Sequence, residues 1–98
     1  MIRVLLAHDE AMIRAGIRAI LASDAGIEVV AEAGDGRGAV QLTRAHRPDV
    51  ALLDVRMPRH DGLAAAHEIA REIPSVAVVI LTTFGDVAYA ADLIPTES

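Results

Sequence analysis

The chain has 98 residues, 53% of them apolar, and a formal net charge of −5 from 14 acids against 9 bases. Such a length supports one small domain with a single modest core, and an acidic balance without a clustered basic face argues against a nucleic-acid surface. The absence of cysteine excludes disulfides and thiolate metal sites.

The first strand expected in chain order is Ile2–Ala7 (IRVLLA), a continuous apolar run. In the following EAMIRAGIRAILAS, Ile13, Ile17, Ile20 and Leu21 recur at helical spacing, with Arg14 and Arg18 turned away from that face. Ile27–Ala33 reads as a second strand and Ala33–Gly36 as a loop. A weaker helix runs from about Arg37 to Arg47 and stops before Pro48. Asp49–Asp54 is the third strand. After the loop RMPRHDG, the residues Leu63, Ala66, Ala70 and Ile73 mark one face of a third helix, which Pro74 ends.

Val76–Thr83 (VAVVILTT) is the fourth and most hydrophobic strand, and a short helix is expected around Val87–Leu93 before Pro95. Phe84 and Tyr89 are the only aromatics, so small aliphatic side chains must do the packing. Apolar runs alternating with helices predict an α/β fold with a parallel sheet covered on both faces and right-handed crossovers. No apolar stretch is long enough for a signal peptide or a membrane span, so a soluble, cytoplasmic protein without a membrane partner is expected.

In a parallel sheet all strands point the same way, and open α/β sheets bind ligands along the edge where their C-terminal ends collect. The polar residues there are His8 and Asp9 after the first strand, Asp54 at the end of the third, and Thr82 and Thr83 at the end of the fourth. Taken singly, Asp9 with Glu10 could simply begin a helix. The threonines could be ordinary strand-end residues, and Asp61-Gly62 a turn and helix start. Asp54 is harder to dismiss, because it follows the apolar run Ala51-Leu52-Leu53. Two carboxylates brought together repel unless a proton or a cation intervenes. A hard oxygen cluster of this kind suits Mg²⁺. A carboxylate can also act as a nucleophile and form an acyl phosphate, while a nearby hydroxyl grips a phosphoryl oxygen.

LLDVRMPRHDG (Leu52–Gly62), Asp9 after the first strand and LTTF (Leu81–Phe84) together resemble the receiver domain of bacterial two-component response regulators. MIRVLLAHDE, RAGIRAIL, IEVVAEAGDG and RPDVALLDVRMP resemble in particular the receivers that precede a LuxR-type helix-turn-helix. The resemblance covers Met1 to about Phe84. It implies a flavodoxin-like receiver fold with strand order 2-1-3-4, acting as a phosphoacceptor and not as an enzyme. Asp54 then matches the aspartate phosphorylated by a sensor histidine kinase, in the control of transcription. Asp9, Asp54 and the backbone carbonyl of Arg56 match the ligands of Mg²⁺, with Mn²⁺ as the alternative ion. Thr82, with Thr83 beside it, matches the hydroxyl that meets the phosphoryl group. Met57, Pro58, Asp61 and Gly62 match the loop after the acceptor.

Two features depart from the family. Where receivers usually carry a pair of acids, the first is His8. An imidazole pointing at the ion favours borderline transition metals over Mg²⁺; pointing away, it only weakens Mg²⁺ binding. The family's fifth strand, with its phosphate-binding lysine, and its fifth helix have no counterpart, and the chain contains no lysine. The expectation is therefore an incomplete receiver over residues 1–98, with a divergent tail at 85–98 and no output domain. A bared fourth strand and sheet face would recruit another receiver domain and give a homodimer. A degenerate receiver that binds proteins without phosphorylation is the alternative. A phosphatase of the haloacid-dehalogenase type is disfavoured, because Arg56 stands where its second aspartate is needed.

Overall fold

Parallel strands with both faces covered can be apolar at every position, and the unbroken runs of the sequence take that form. The structure, a computed structural model, describes residues 1–57 and 62–81. Among these the element order is β1 (Ile2–Ala7), α1 (Ala11–Ala22), β2 (Ile27–Ala33), α2 (Gly36–His46), β3 (Val50–Asp54), α3 (Gly62–Glu72) and β4 (Ala77–Leu81). The sheet order is β2-β1-β3-β4 and each pairing is parallel, as the sequence and its resemblance predict. The helix expected at Val87–Leu93, the end of the fourth strand at Thr82-Thr83 and the tail at 85–98 lie outside the described residues.

The central strands carry the core. Leu5 and Ala7 of β1 join Ala51 and Leu53 of β3, Ala39 and Val40 of α2, and Ala65, Ala66 and Ile69 of α3 in one buried cluster. By strand alternation Val4 and Leu6, also buried, project to the other face, the side left to α1, which packs on β1 and β2. At the N-terminal edge the Asp49 carboxylate accepts the Arg3 N–H at 2.8 Å and the Arg3 carbonyl accepts the Asp49 N–H at 2.8 Å. This pair pins the register of β1 on β3 before the apolar residues begin.

Helix α2 has clear local punctuation. Asp35 caps it by accepting the Gly38 N–H at 2.7 Å. Arg47, at φ 47° and ψ 58°, ends it in a left-handed residue whose N–H returns to the Thr43 carbonyl. Arg44 then reaches Glu68 and Glu72 across the solvent-exposed seam with α3. That guanidinium holds the Glu72 carboxyl below its ordinary value.

Two amphipathic readings need correction. Arg14 and Arg18 do not turn away from the sheet: both reach Glu32 on β2, with contacts of 3.2 and 2.9 Å. No residue of α1 is buried, and Met12 and Ile20 are 89% and 71% exposed. A helical period shows which residues share a face but not which face meets the neighbour. Long arginine stems can lie over apolar surface and still deliver charge to a partner. In α3 the buried face is Gly62, Ala65, Ala66 and Ile69, continued by Ile73, while Ala70 is exposed and Leu63 half-buried. In a helix this rich in alanine, small side chains on every side leave its rotation weakly specified by pattern.

Candidate functional site

Ala7 of β1 stands opposite Leu53 of β3 in the parallel ladder. The next residue along each strand, His8 and Asp54, therefore stands beside the other at the C-terminal edge of the sheet. Both are buried, at 2% and 1% exposure, whereas the Asp9 side chain is 39% exposed. His8 Nε2 lies 4.0 Å from Asp54 Oδ2, and His8 Nδ1 lies 3.5 Å from Asp9 Oδ1. One donor atom from each of the three residues falls within 4.8 Å of the others. The structure thus brings together His8, Asp9 and Asp54 from two strand ends.

Each strand end is held from outside the sheet. The His8 N–H donates to the Ala33 carbonyl of β2 at 3.0 Å, and Arg14 of α1 donates to the His8 carbonyl at 2.7 Å. On the other side, the Val55 N–H donates to Leu81 of β4 at 3.3 Å, and the Gly62 N–H donates to Val55 at 3.0 Å. Gly62 packs its bare Cα on the acceptor backbone: a Cβ there would overlap the Asp54 carbonyl oxygen and stand 2.6 Å from Val55 Cα. This close approach is why α3 opens on a glycine.

Burial pushes the Asp54 carboxyl above its ordinary range, and the neighbouring Asp9 adds to the rise. His8, the backbone N–H of Arg56, which donates to the carboxylate, and the Arg56 charge act against it. The opposition is incomplete. Asp54 Oδ1 and His8 Nε2 are both buried without a hydrogen-bond partner among the described residues. Orphaned buried polar atoms commonly mark the seat of an ion, water or ligand group. The carboxylates of Asp9 and Asp54, one with a spare oxygen, fit a hard divalent cation.

Of the remaining site residues expected from the sequence, Met57 is 6% exposed and belongs to the core cluster, so it packs as well as continuing the acceptor loop. Arg56 meets the acceptor through its N–H. Pro58, Asp61, Thr82 and Thr83 lie outside the described residues. Sequence reasoning missed Arg14 as the clamp on the His8 carbonyl. It also read Gly62 as a turn residue without its contact; a glycine opening an otherwise alanine-rich helix was the available signal.

Comparison with known proteins adds a separate line of observation. The sequence profile described as response regulator receiver domain matches residues 4–97. The transcriptional regulatory protein PdtaR of Mycobacterium tuberculosis is 49% identical over 82 residues, 84% of this chain and 39% of that protein. The response regulator UvrY of Escherichia coli O157:H7 is 48% identical over 82 residues, 84% of this chain and 38% of that protein. The chain thus spans about two-fifths of the length of these curated relatives. Among solved structures, the REC domain of the response regulator AraT from Geobacillus stearothermophilus superposes with a TM-score of 0.83 at 39% identity, covering 93% of this chain and 71% of that one. A LuxR-family DNA-binding response regulator from Staphylococcus aureus superposes with a TM-score of 0.85 at 27% identity, covering 93% and 76%.

The Gly62 contact predicts that Gly62→Ala destabilises the protein by roughly 1–3 kcal/mol, as overpacking does, read by urea unfolding. The raised Asp54 carboxyl makes a second prediction. An acid that binds its proton more tightly when folded loses stability as pH rises from its unfolded pKa through its folded one. Asp54→Asn should therefore raise the melting temperature of the metal-free protein at neutral pH. The gain should fade as pH falls to about 4, the ordinary carboxylate pKa. Thermal melts in chelator at both pH values check it.

Proposed function

The chain belongs to the response regulator receiver domain family, and from that premise we propose that Asp54 accepts a phosphoryl group from a sensor histidine kinase. The observation that carries this reading is the buried Asp54 carboxylate at the end of β3, with Oδ1 unpartnered beside Asp9 and His8. Oδ1 is the free nucleophile. It attacks phosphorus in line with the donor's P–N or P–O bond; that bond breaks, its electron pair stays on the departing nitrogen or oxygen of the donor, and an acyl phosphate forms on Asp54. The Arg56 N–H, bonded to the carboxylate, orients it during the attack. Thr82 is assigned the hydroxyl that meets the phosphoryl group, with Thr83 next to it. Met57, Pro58, Asp61 and Gly62 are assigned by the resemblance to the stretch that follows the acceptor.

Asp9, Asp54 and the Arg56 carbonyl are the residues assigned to a divalent ion, Mg²⁺ or alternatively Mn²⁺. When bound, that ion supplies neutralising charge to a crowded set of oxygens. The reaction is phosphotransfer onto the protein itself, not turnover of a substrate. In a longer protein it would control transcription through a LuxR-type output domain. A cytoplasmic location fits this role, and among the described residues no helix is long and apolar enough to cross a membrane.

Incubation with acetyl phosphate and Mg²⁺ should give one phosphoryl adduct by intact mass, mapped to Asp54 and abolished in Asp54→Asn. An adduct that persists in Asp54→Asn overturns the assignment.

A second reading, a receiver acting through protein contacts without phosphorylation, draws on the apolar side chains left at the surface. Met12 and Ile20 of α1 are exposed, and Val79 of β4 is 46% exposed. Apolar side chains left in solvent favour association with a second copy. Sedimentation equilibrium at micromolar concentration should show a dimer; a monomer with a cooperative melt removes this reading.

A further inference from the structure

His8 is the buried polar side chain of the site that the phosphoacceptor reading leaves without a task. Its two ring nitrogens face different demands. Nδ1 accepts the backbone N–H of Glu10 at 3.1 Å. The peptide plane fixes the direction of that N–H, so Nδ1 presents its lone pair and the ring hydrogen resides on Nε2. Nε2 is buried and has no partner among the described residues. Its separation of 4.0 Å from Asp54 Oδ2 is too long for a hydrogen bond.

A cation ligand needs a lone pair, and Nε2 presents a hydrogen. Turning Nε2 into a ligand would move that hydrogen to Nδ1, where it would confront the Glu10 N–H at 3.1 Å, while Asp9 Oδ1 at 3.5 Å is too far to compensate with a good hydrogen bond. The arrangement is therefore poor for holding a metal through Nε2 and suited to an acceptor. At 4.0 Å from Oδ2, Nε2 stands beside the carboxylate without bonding to it. An oxygen of a tetrahedral group attached to Asp54 would project beyond the carboxylate and could accept the Nε2 hydrogen, and a bond from a nitrogen donor to an anionic oxygen is among the stronger kinds.

We propose that His8 binds the phosphoryl group, its Nε2–H donating to an oxygen of the tetrahedral group on Asp54 while the imidazole stays out of the metal's ligand set. The inference rests on Asp54 as acceptor and adds a residue to it. An oxyanion-directed donor replaces an acid at the end of β1, and the neighbouring carboxylate of Asp9 is left to the cation.

The test uses the full chain labelled with ¹⁵N and the beryllium trifluoride anion, with Mg²⁺, as the phosphoryl probe. Long-range ¹H–¹⁵N correlations of the His8 ring should show Nε2 protonated and Nδ1 unprotonated, with and without Mg²⁺. On probe binding the Nε2 hydrogen should shift downfield and become protected from exchange, and Asp54→Asn should prevent both changes. By ¹⁹F titration, His8→Ala should weaken probe binding roughly 10- to 100-fold, the range for losing one hydrogen bond to a charged group. His8→Gln, which keeps a side-chain N–H at similar reach, should recover most of that loss. Loss of the Nε2 hydrogen on adding Mg²⁺ or Zn²⁺ would show an imidazole ligand and overturn the proposal. So would a probe-bound wild type whose His8 resonances do not move, a result that leaves Asp54 standing as acceptor. A wild type that forms no adduct at all overturns both. The ring spectra of the wild type decide the matter even where His8→Ala fails to fold.

Discussion

The parallel pairing of β1 with β3 is the constraint on which the rest depends. Its register, Ala7 opposite Leu53, carries two polar residues to the same place at the end of a fully apolar ladder. Up to that point Val4, Leu5, Leu6 and Ala7 of β1 and Ala51 and Leu53 of β3 are buried, with Val50 and Leu52 half-buried. One residue later, at the C-terminal edge of the sheet, stand a histidine just past β1 and the aspartate that ends β3, where water barely reaches. Shifting either strand by one residue would exchange their faces and send Asp54 or His8 elsewhere. The Arg3–Asp49 bonds at the opposite edge therefore position the site from a distance.

A buried carboxylate with an unpartnered oxygen lowers stability, and nothing among the described residues compensates fully. The surroundings limit how far it can relax. Arg14 clamps the His8 carbonyl, β2 accepts the His8 N–H, and Gly62 lies directly on the Asp54 backbone. The scaffold spends packing precision to hold one acid in an unfavourable place. Such local disagreement with an otherwise consistent sequence is the usual physical mark of a functional position.

The helices contribute unequally to this. α2 and α3 supply the residues of the main cluster and are tied together by Arg44 at the surface. α1 adds no fully buried residue: Ile17 and Leu21 are half-buried, and Arg14 and Arg18 reach Glu32 of β2. A helix whose apolar residues are only half-buried, with Arg14 on the His8 carbonyl, positions the end of β1 without sealing the sheet. That division explains how the same helix can orient His8 and still leave Met12 and Ile20 in solvent.

From the sequence by itself came the number and order of the described strands and helices, the parallel sheet, and the singling out of Asp54, Asp9 and His8. These follow from local information: unbroken apolar runs, helical spacing, glycine and proline stops, and an acid that local pattern cannot justify. The role that α1's arginines take, the rotation of α3, the contact beneath Gly62 and the direction of the His8 ring were decided by tertiary structure alone. Each depends on a partner far along the chain: Glu32 for Arg14, the Asp54 backbone for Gly62, and Asp54 for the space that His8 Nε2 faces. Periodicity records which residues share a face. What that face meets is settled only when strand register and helix docking bring distant segments into contact.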